Sequence, residues 1–250
     1  MPGTLYLIPN SLGPVATGNE DILPFIIPEE VQQLTAQLDY FIAENAKTTR
    51  AFLKMISTRH ALAKPLQEIR IGELNVNTDA AALPALLVPL LSGCNAGLIS
   101  EAGVPAVADP GANLVRLAHD AGIRVRPLVG PSSLLLAVMA SGLNGQSFAF
   151  NGYLPTDAAQ RVKRIKMLED RSKSERQTQM FIETPYRNGA LLEAIAGTCR
   201  PTTLVCVATD LTLPSETIRT QTVAKWKQEV TKGILPEFHK KPTVFLFLAQ

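Results

Sequence analysis

Residues 98–133 read LISEAGVPAVADPGANLVRLAHDAGIRVRPLVGPSS, and this stretch decides the fold class. A short apolar strand over residues 96–99 runs into a loop bearing Gly103, Pro105, Pro110 and Gly111. A helix follows, then a second strand over residues 124–129 that ends in Gly130-Pro131-Ser132-Ser133. Two strands therefore end in small-residue loops, and each loop leads into helix-forming sequence. In an open α/β sheet, ligands bind just beyond the carboxyl ends of the strands. Small residues let backbone amides and carbonyls approach a ligand with no Cβ in the way. The stretch thus predicts where a small molecule sits.

The flanking sequence repeats the pattern. Residues 4–8 (TLYLI) read as a strand closed by Pro9-Asn10-Ser11 and Gly13, and residues 18–28 as a loop. A short helix is expected over 29–37, a buried strand over 39–43, and a helix over 48–57 with Ala51, Phe52, Met55 and Ile56 on one face. Residues 64–76 read as loop with a short extended piece, and 79–91 as a helix capped by Asn77, Thr78 or Asp79. Strands alternating with helices argue for a mostly parallel sheet. Residues 132–141 (SSLLLAVMAS) are almost wholly apolar, which predicts a helix buried on all sides. A strand over 148–150, a polar helix from the Asp157 cap to about 174, a strand over 180–183 and a helix over 187–196 follow. Three further strands, over 203–208, 215–220 and 243–248, suggest a mixed sheet. The expected organisation is two α/β domains, residues 1–129 and 130–250.

Composition narrows the class. The 250 residues, 46% hydrophobic and 18% charged, suit a soluble globular protein. No run of about 18 apolar residues predicts a membrane span. The opening MPGTLYLIPNSLG lacks a basic, then apolar, leader, which points to a cytoplasmic location. Cys94, Cys199 and Cys206 have no CxxC spacing and read as buried free thiols. A net charge of +2 selects no partner.

Several chemistries lack their motifs. The first turn, PNSLG, is not GxGxxG, and no P-loop is present. His60, His119 and His239 are scattered, and no metal site is expected. No GxSxG elbow occurs, and Ser132-Ser133 also read as helix caps. The loops suit binding and orientation, as in a transfer from a cofactor that is already reactive.

The ordered segments SEAGVPAVADPG, GIRVRPLVGPSS, ASGL and FAFNGYLP resemble the tetrapyrrole methylase superfamily, and more narrowly its ribosomal RNA small subunit methyltransferase I branch. LYLIPNSLG, AENAKTTRAFLK, KRIKMLEDR, FIETPYR and LVCVATDLT extend the resemblance over most of the chain. It implies S-adenosylmethionine as methyl donor, a cleft between two α/β domains, and a homodimer. Carried over by position, the donor contacts are Leu12; Gly103, Val104 and Val107; Ser132 and Ser133; Ile182; Asp210; and Thr243 with Pro242 beside it. The chemistry implied is in-line methyl displacement, in which a carboxylate near an acceptor hydroxyl can act as base. Glu44, Glu101, Asp109 and Glu183 are the candidates.

The resemblance implies RNA as acceptor, a ribose hydroxyl of ribosomal RNA being one target. A small-molecule acceptor, tetrapyrrole-like or other, and a non-catalytic module binding donor or RNA are the alternatives. Basic runs fit RNA phosphates or equally a solvated helix face: Lys47, Arg50, Lys54 and Arg59 within 47–59, and Arg161, Lys163, Arg164, Lys166, Arg171, Lys173 and Arg176 within 161–176. Aromatic residues are sparse there, so base reading by those runs is not indicated. The chain departs from the pattern at several places. The AEDTR-type acidic pair is Glu44-Asn45, the HEHN-type loop is RIGELNVN (70–77), and the ESPHR-type histidine is Tyr186. The loop after the first strand is rebuilt as LGPVATGNEDILPFIIP. These departures imply a divergent paralogue with a changed acceptor side.

Overall fold

Apolar side chains alternate along each inner strand of the first sheet and feed two separate helical layers. The computed structural model describes residues 1–13 and 22–250. It divides into two compact units, Met1–Ser132 and Ser133–Gln250.

The first unit contains β1 (Thr4–Ile8), α1 (Leu23–Ile26), α2 (Glu29–Ala36), β2 (Tyr40–Ala43), α3 (Ala46–Ser57) and β3 (Arg70–Glu73). A 3-10 turn at Ala80–Ala82, α4 (Leu83–Leu91), β4 (Ala96–Ile99), α5 (Gly111–Asp120) and β5 (Arg124–Pro127) complete it. The five strands are all parallel, in the order β3-β2-β4-β1-β5. Ile8, Phe41, Ala43 and Ile99 pack with α1, α2 and α3. Leu5, Ile42, Ala96 and Leu98 pack with α4 and α5. Right-handed crossovers require this division, because β1 to β3 progress toward one edge while β4 and β5 progress toward the other. The neighbours β1 and β4 thus send their connections to opposite faces. That is the switch point at which α/β sheets bind ligands.

Local sequence explains the element ends. Asn45 caps α3 by accepting from Lys47 N–H at 2.8 Å, and Asp79 caps the turn before α4. Two expectations for this unit need correction. The segment read as loop over 18–28 includes the helical turn α1, which Pro24 starts and which buries Leu23 and Ile26; residues 18–21 lie outside the described residues. The buried stripe of α3 is Thr49, Phe52, Leu53 and Ile56, and Ala51 faces solvent. Spacings of three, one and three place that set, not Ala51, on the sheet side.

The second unit contains α6 (Ser133–Ser141), β6 (Phe148–Tyr153), α7 (Ala158–Glu175), β7 (Thr178–Ile182), a 3-10 turn at Pro185–Arg187 and α8 (Asn188–Thr198). β8 (Leu204–Thr209), β9 (Thr217–Thr222), α9 (Val223–Thr231) and β10 (Thr243–Leu248) follow. The sheet order is β6-β7-β10-β8-β9, with β6 and β7 parallel and the other pairs antiparallel. One face packs Phe181, Val207, Phe245 and Phe247 against α7, α8 and α9 through Ile165, Leu192, Ile195 and Trp226. Trp226 meets its buried polar requirement by donating Nε1–H to Val205 O at 3.0 Å. α9 carries little sequence signal, because VAKWKQEVT is mostly polar and buries only Val223 and Trp226.

The prediction that α6 is buried on all sides is also corrected. It contacts β8, β9 and β10, and Ala137, Val138 and Ser141 are buried, but Leu135 is 57% exposed and Met139 is 79% exposed. A helix laid on one sheet buries one stripe, whatever the polarity of its other side. Among the thiols, Cys199 and Cys206 are buried, whereas Cys94 is only half-buried. No helix among the described residues is long and apolar enough to cross a membrane.

The parallel sheet is close-packed at Gly97 of β4. A Cβ there would overlap Ile8 Cδ1 and stand 2.9 Å from Phe41 Cδ1, both on fully buried side chains. Gly97→Ala should therefore cost about 1–3 kcal/mol. Urea denaturation checks this, and an unchanged midpoint with an unchanged slope would contradict the packing.

Candidate active site

The carboxyl ends of β1 and β4 are joined by one buried amide side chain, Asn10. Its Nδ2 donates to Ser100 O and to Glu101 O, each at 3.1 Å, and its Oδ1 accepts from Ser11 N–H at 2.8 Å. The backbones add Asn10 N–H to Gly103 O at 2.8 Å and Gly103 N–H to Ser11 O at 3.3 Å. The loops after β1 and β4 are thus clasped together at the switch point. The loop after β5 closes on the same place. A Cβ on Gly130 would overlap the ring of Pro9, and one on Gly103 would stand 3.1 Å from Leu12 Cδ2 and 3.6 Å from Pro131 O.

The loop after β4 carries left-handed backbone. Gly103 has φ +70, and Ala106 and Ala108 hold φ +66 and +58 without the freedom of glycine. Residues held in this region cost about 1–3 kcal/mol each and cluster at ligand sites. Leu12 is buried, Val104 is half-buried and Val107 is 48% exposed. Ser132 is partly buried beside the buried Pro131. Val129, not anticipated from sequence, stands 72% exposed in the β5 loop and adds apolar surface near the clasp.

The carboxylates differ sharply in environment. Glu44 follows β2, and its Oε1 accepts from Glu101 N–H at 3.4 Å. Burial, then the neighbouring Asp109 carboxylate that shares a hydrogen bond with it, push its pKa up from 4.5 to about 7. Asp109 itself accepts from Gly111 N–H at the start of α5, at 3.1 Å. Glu101 is exposed.

In the second unit, Glu183 follows β7 and is buried. Its Oε1 accepts from Thr184 N–H at 2.7 Å and from Arg187 Nε and Nη2 at 2.9 and 2.6 Å. Ile182 is half-buried at the end of β7, and Ser133 opens α6. Asp210, at φ +52 after β8, is buried; it accepts from Ser215 Oγ at 2.8 Å and lies 3.4 Å from Lys241 Nζ. Its backbone N–H donates to Pro242 O at 3.0 Å. Thr243 Oγ1 lies 3.1 Å from Thr209 Oγ1 and accepts from Asn188 Nδ2 at 3.1 Å. Within this unit, Ile182, Asp210 and Thr243 thus share one edge of the sheet. No group of three or more His, Cys, Asp or Glu among the described residues could hold a metal ion.

Comparison with known proteins places this arrangement. No family model matches the chain. The ribosomal RNA small subunit methyltransferase I of Xylella fastidiosa is 30% identical over 229 residues, covering 92% of this chain and 76% of the relative. That of Mesorhizobium japonicum is 33% identical over 223 residues, covering 88% of this chain and 67% of the relative. The chain belongs to the ribosomal RNA small subunit methyltransferase I family. The family's Escherichia coli O157:H7 member is 30% identical over 216 residues, covering 86% of this chain and 68% of the relative. As a family methyltransferase, the chain shares its architecture with two methyltransferases of known structure. The methyltransferase CobJ matches with a TM-score of 0.61 at 17% identity, over 99% of this chain and 94% of that one. The uroporphyrin-III C-methyltransferase of Thermus thermophilus matches with a TM-score of 0.52 at 16% identity, over 99% of this chain and 93% of that one.

Two outcomes follow from this geometry. Asn10→Asp keeps the acceptor for Ser11 N–H but sets a carboxylate against two carbonyl oxygens. It should destabilise the first unit by about 1–3 kcal/mol, measured by denaturant titration; a neutral effect would contradict the clasp. Glu44 binds its proton more tightly folded than unfolded. The stability it contributes is complete below its ordinary pKa of 4.5 and is lost as pH rises to about 7. Glu44→Gln should therefore gain on the parent protein as pH rises through that window. An identical stability difference at pH 4.5 and pH 8 would contradict the raised pKa.

Proposed function

We propose that this family member transfers a methyl group from S-adenosylmethionine to ribosomal RNA, with a ribose hydroxyl as acceptor. The observation that carries the reading is the clasp at the β1/β4 switch point. There Asn10, Leu12, Gly103 and Pro131 draw three loops into a cradle that a single Cβ at Gly103 would crowd. The cradle suits a ligand with a flat base, a ribose and an amino-acid end. Left-handed residues turn backbone groups outward, and Leu12, Val104 and Val107 offer apolar walls. In the first unit the proposed donor contacts are Leu12, Gly103, Val104, Val107 and Ser132. Within the second unit they are Ser133, Ile182, Asp210 and Thr243. S-adenosylmethionine, when bound, supplies a methyl group on a sulfonium leaving group.

The chain's task is then orientation and removal of one proton. Alignment of two bound reactants is worth an effective molarity of roughly 10⁵ M or more. Glu44 is the proposed general base, because a carboxyl with pKa about 7 is poised to accept a proton near neutrality. Glu101 holds the Glu44 carboxylate through its backbone N–H. Glu183 is committed to Arg187 and acts as a positioning residue. The exposed Lys47, Arg50 and Lys54 of α3, which starts two residues after Glu44, and Lys163, Lys166 and Lys173 of α7 are proposed phosphate contacts. The working form is proposed to be a cytoplasmic homodimer. The family resemblance supports this, and the exposed Leu135 and Met139 offer apolar surface of the kind a partner copy covers.

Labelled S-adenosylmethionine, incubated with small ribosomal subunits from a strain lacking this gene, tests the reading. Label should enter ribosomal RNA, and Glu44→Gln should lower kcat by about 10²–10⁴-fold with donor affinity retained. Glu183→Gln should act mainly on stability, by about 1–3 kcal/mol. Label only in a small-molecule extract, or full activity in Glu44→Gln, would overturn the acceptor or the base respectively.

A further inference from the structure

Tyr186 lies in the 3-10 turn after β7 in the second unit. Its ring is 72% exposed, yet the backbone beneath it is held on every side. Arg187, next in the chain, is fixed by its two bonds to the buried Glu183. Asn188 is buried and donates Nδ2 to Phe238 O at 2.8 Å and to Lys241 O at 2.9 Å. Lys240 N–H donates to Pro185 O at 3.2 Å. The turn after β7 and the segment before β10 are therefore tied into one ledge by these bonds. The antiparallel pairing of Ile182 with Val244 puts both at the same edge of the sheet.

Two side chains from the second segment meet the ring. The His239 ring lies edge-on, with centroids 6.2 Å apart and an interplanar angle of 82°. Lys240 Nζ is 5.9 Å from the ring centroid, and Lys240 holds φ +62 there. Of the acids around it, Glu183 and Asp210 are already taken by Arg187 and Lys241, and the exposed Glu237 stands three positions before Lys240. Lys240 makes no ion pair among the described residues, so the ledge presents a largely exposed aromatic ring with an unpaired ammonium over it. That pairing fits an unstacked base and its phosphate. Every base has a π-face to stack, and stacking is worth about 1–3 kcal/mol per base. A ring already held in place gives up little entropy on binding.

We propose that Tyr186, with His239 and Lys240, forms a stacking platform for one unpaired base of the RNA acceptor strand, Lys240 contacting the adjoining phosphate. The inference rests on the RNA reading above and names a recognition element that the basic runs lack.

Binding of a fluorescent single-stranded oligoadenylate to the full chain, followed by anisotropy over a salt series, tests it. Calorimetry with S-adenosylmethionine runs in parallel, and thermal unfolding confirms the fold of each variant. Tyr186→Ala should weaken oligonucleotide binding about 10-fold with an unchanged salt slope. Tyr186→Phe should stay within about twofold of the parent, because the ring remains. Lys240→Ala should lower the salt slope by about 0.7. Donor affinity should be unchanged in all three. Parent-like binding by Tyr186→Ala, equal losses in the Ala and Phe variants, or loss of donor affinity would overturn the platform. Parent protein that binds the oligonucleotide and labels ribosomal RNA while Tyr186→Ala is indifferent removes the platform alone. Parent protein that does neither removes the RNA reading as well.

Discussion

The amide of Asn10 is the interaction on which the candidate site depends. Parallel strands at a switch point diverge, and the polypeptide leaving β1 would by default separate from the one leaving β4. One buried side chain prevents this by giving both its donor hydrogens to the β4 loop and its oxygen to the β1 loop. Each such bond adds only about 1 kcal/mol net, but a buried carbonyl left without its partner costs about 1–3 kcal/mol. The arrangement is therefore all-or-none at this position. The left-handed Ala106 and Ala108 follow in the same β4 loop.

Within each unit, the chain sorts its carboxylates by environment. Glu44 is desolvated beside a second carboxylate and keeps its proton to about pH 7, whereas Glu183 is held by a guanidinium and a backbone amide. Two groups of one chemistry are thereby placed in environments suited to different tasks, the proposed proton transfer for Glu44 and scaffolding for Glu183. Glu169 illustrates the purely structural extreme. Its buried carboxylate satisfies Arg200 N–H and the Thr203 hydroxyl in the turn between α8 and β8.

Much of the fold was legible because its signals are local. The small-residue loops of 98–133, the Asp157 cap and the alternation of short apolar strands with helices each depend on neighbours in sequence. What escaped depends on distant ones. Nothing in PNSLG marks Asn10 as a clasp, since its acceptors lie 90 and 91 positions away. Glu44, Glu101 and Glu183 read as equals until burial and partners separated them. The exposed Leu135 and Met139 were read as buried because composition reports polarity but not the number of layers that cover a helix. Tyr186 registered only as a departure from the family's histidine, and its ledge exists only once β10 pairs with β7.

The claim that the three clasped loops of the first unit hold the methyl donor is tested most directly by amide hydrogen exchange with and without S-adenosylmethionine, read by mass spectrometry. Saturating donor should slow exchange in peptides covering 9–13, 101–110 and 128–132, where the loops meet. Exchange that remains unchanged in all three peptides, with protection confined to other segments, would contradict the account.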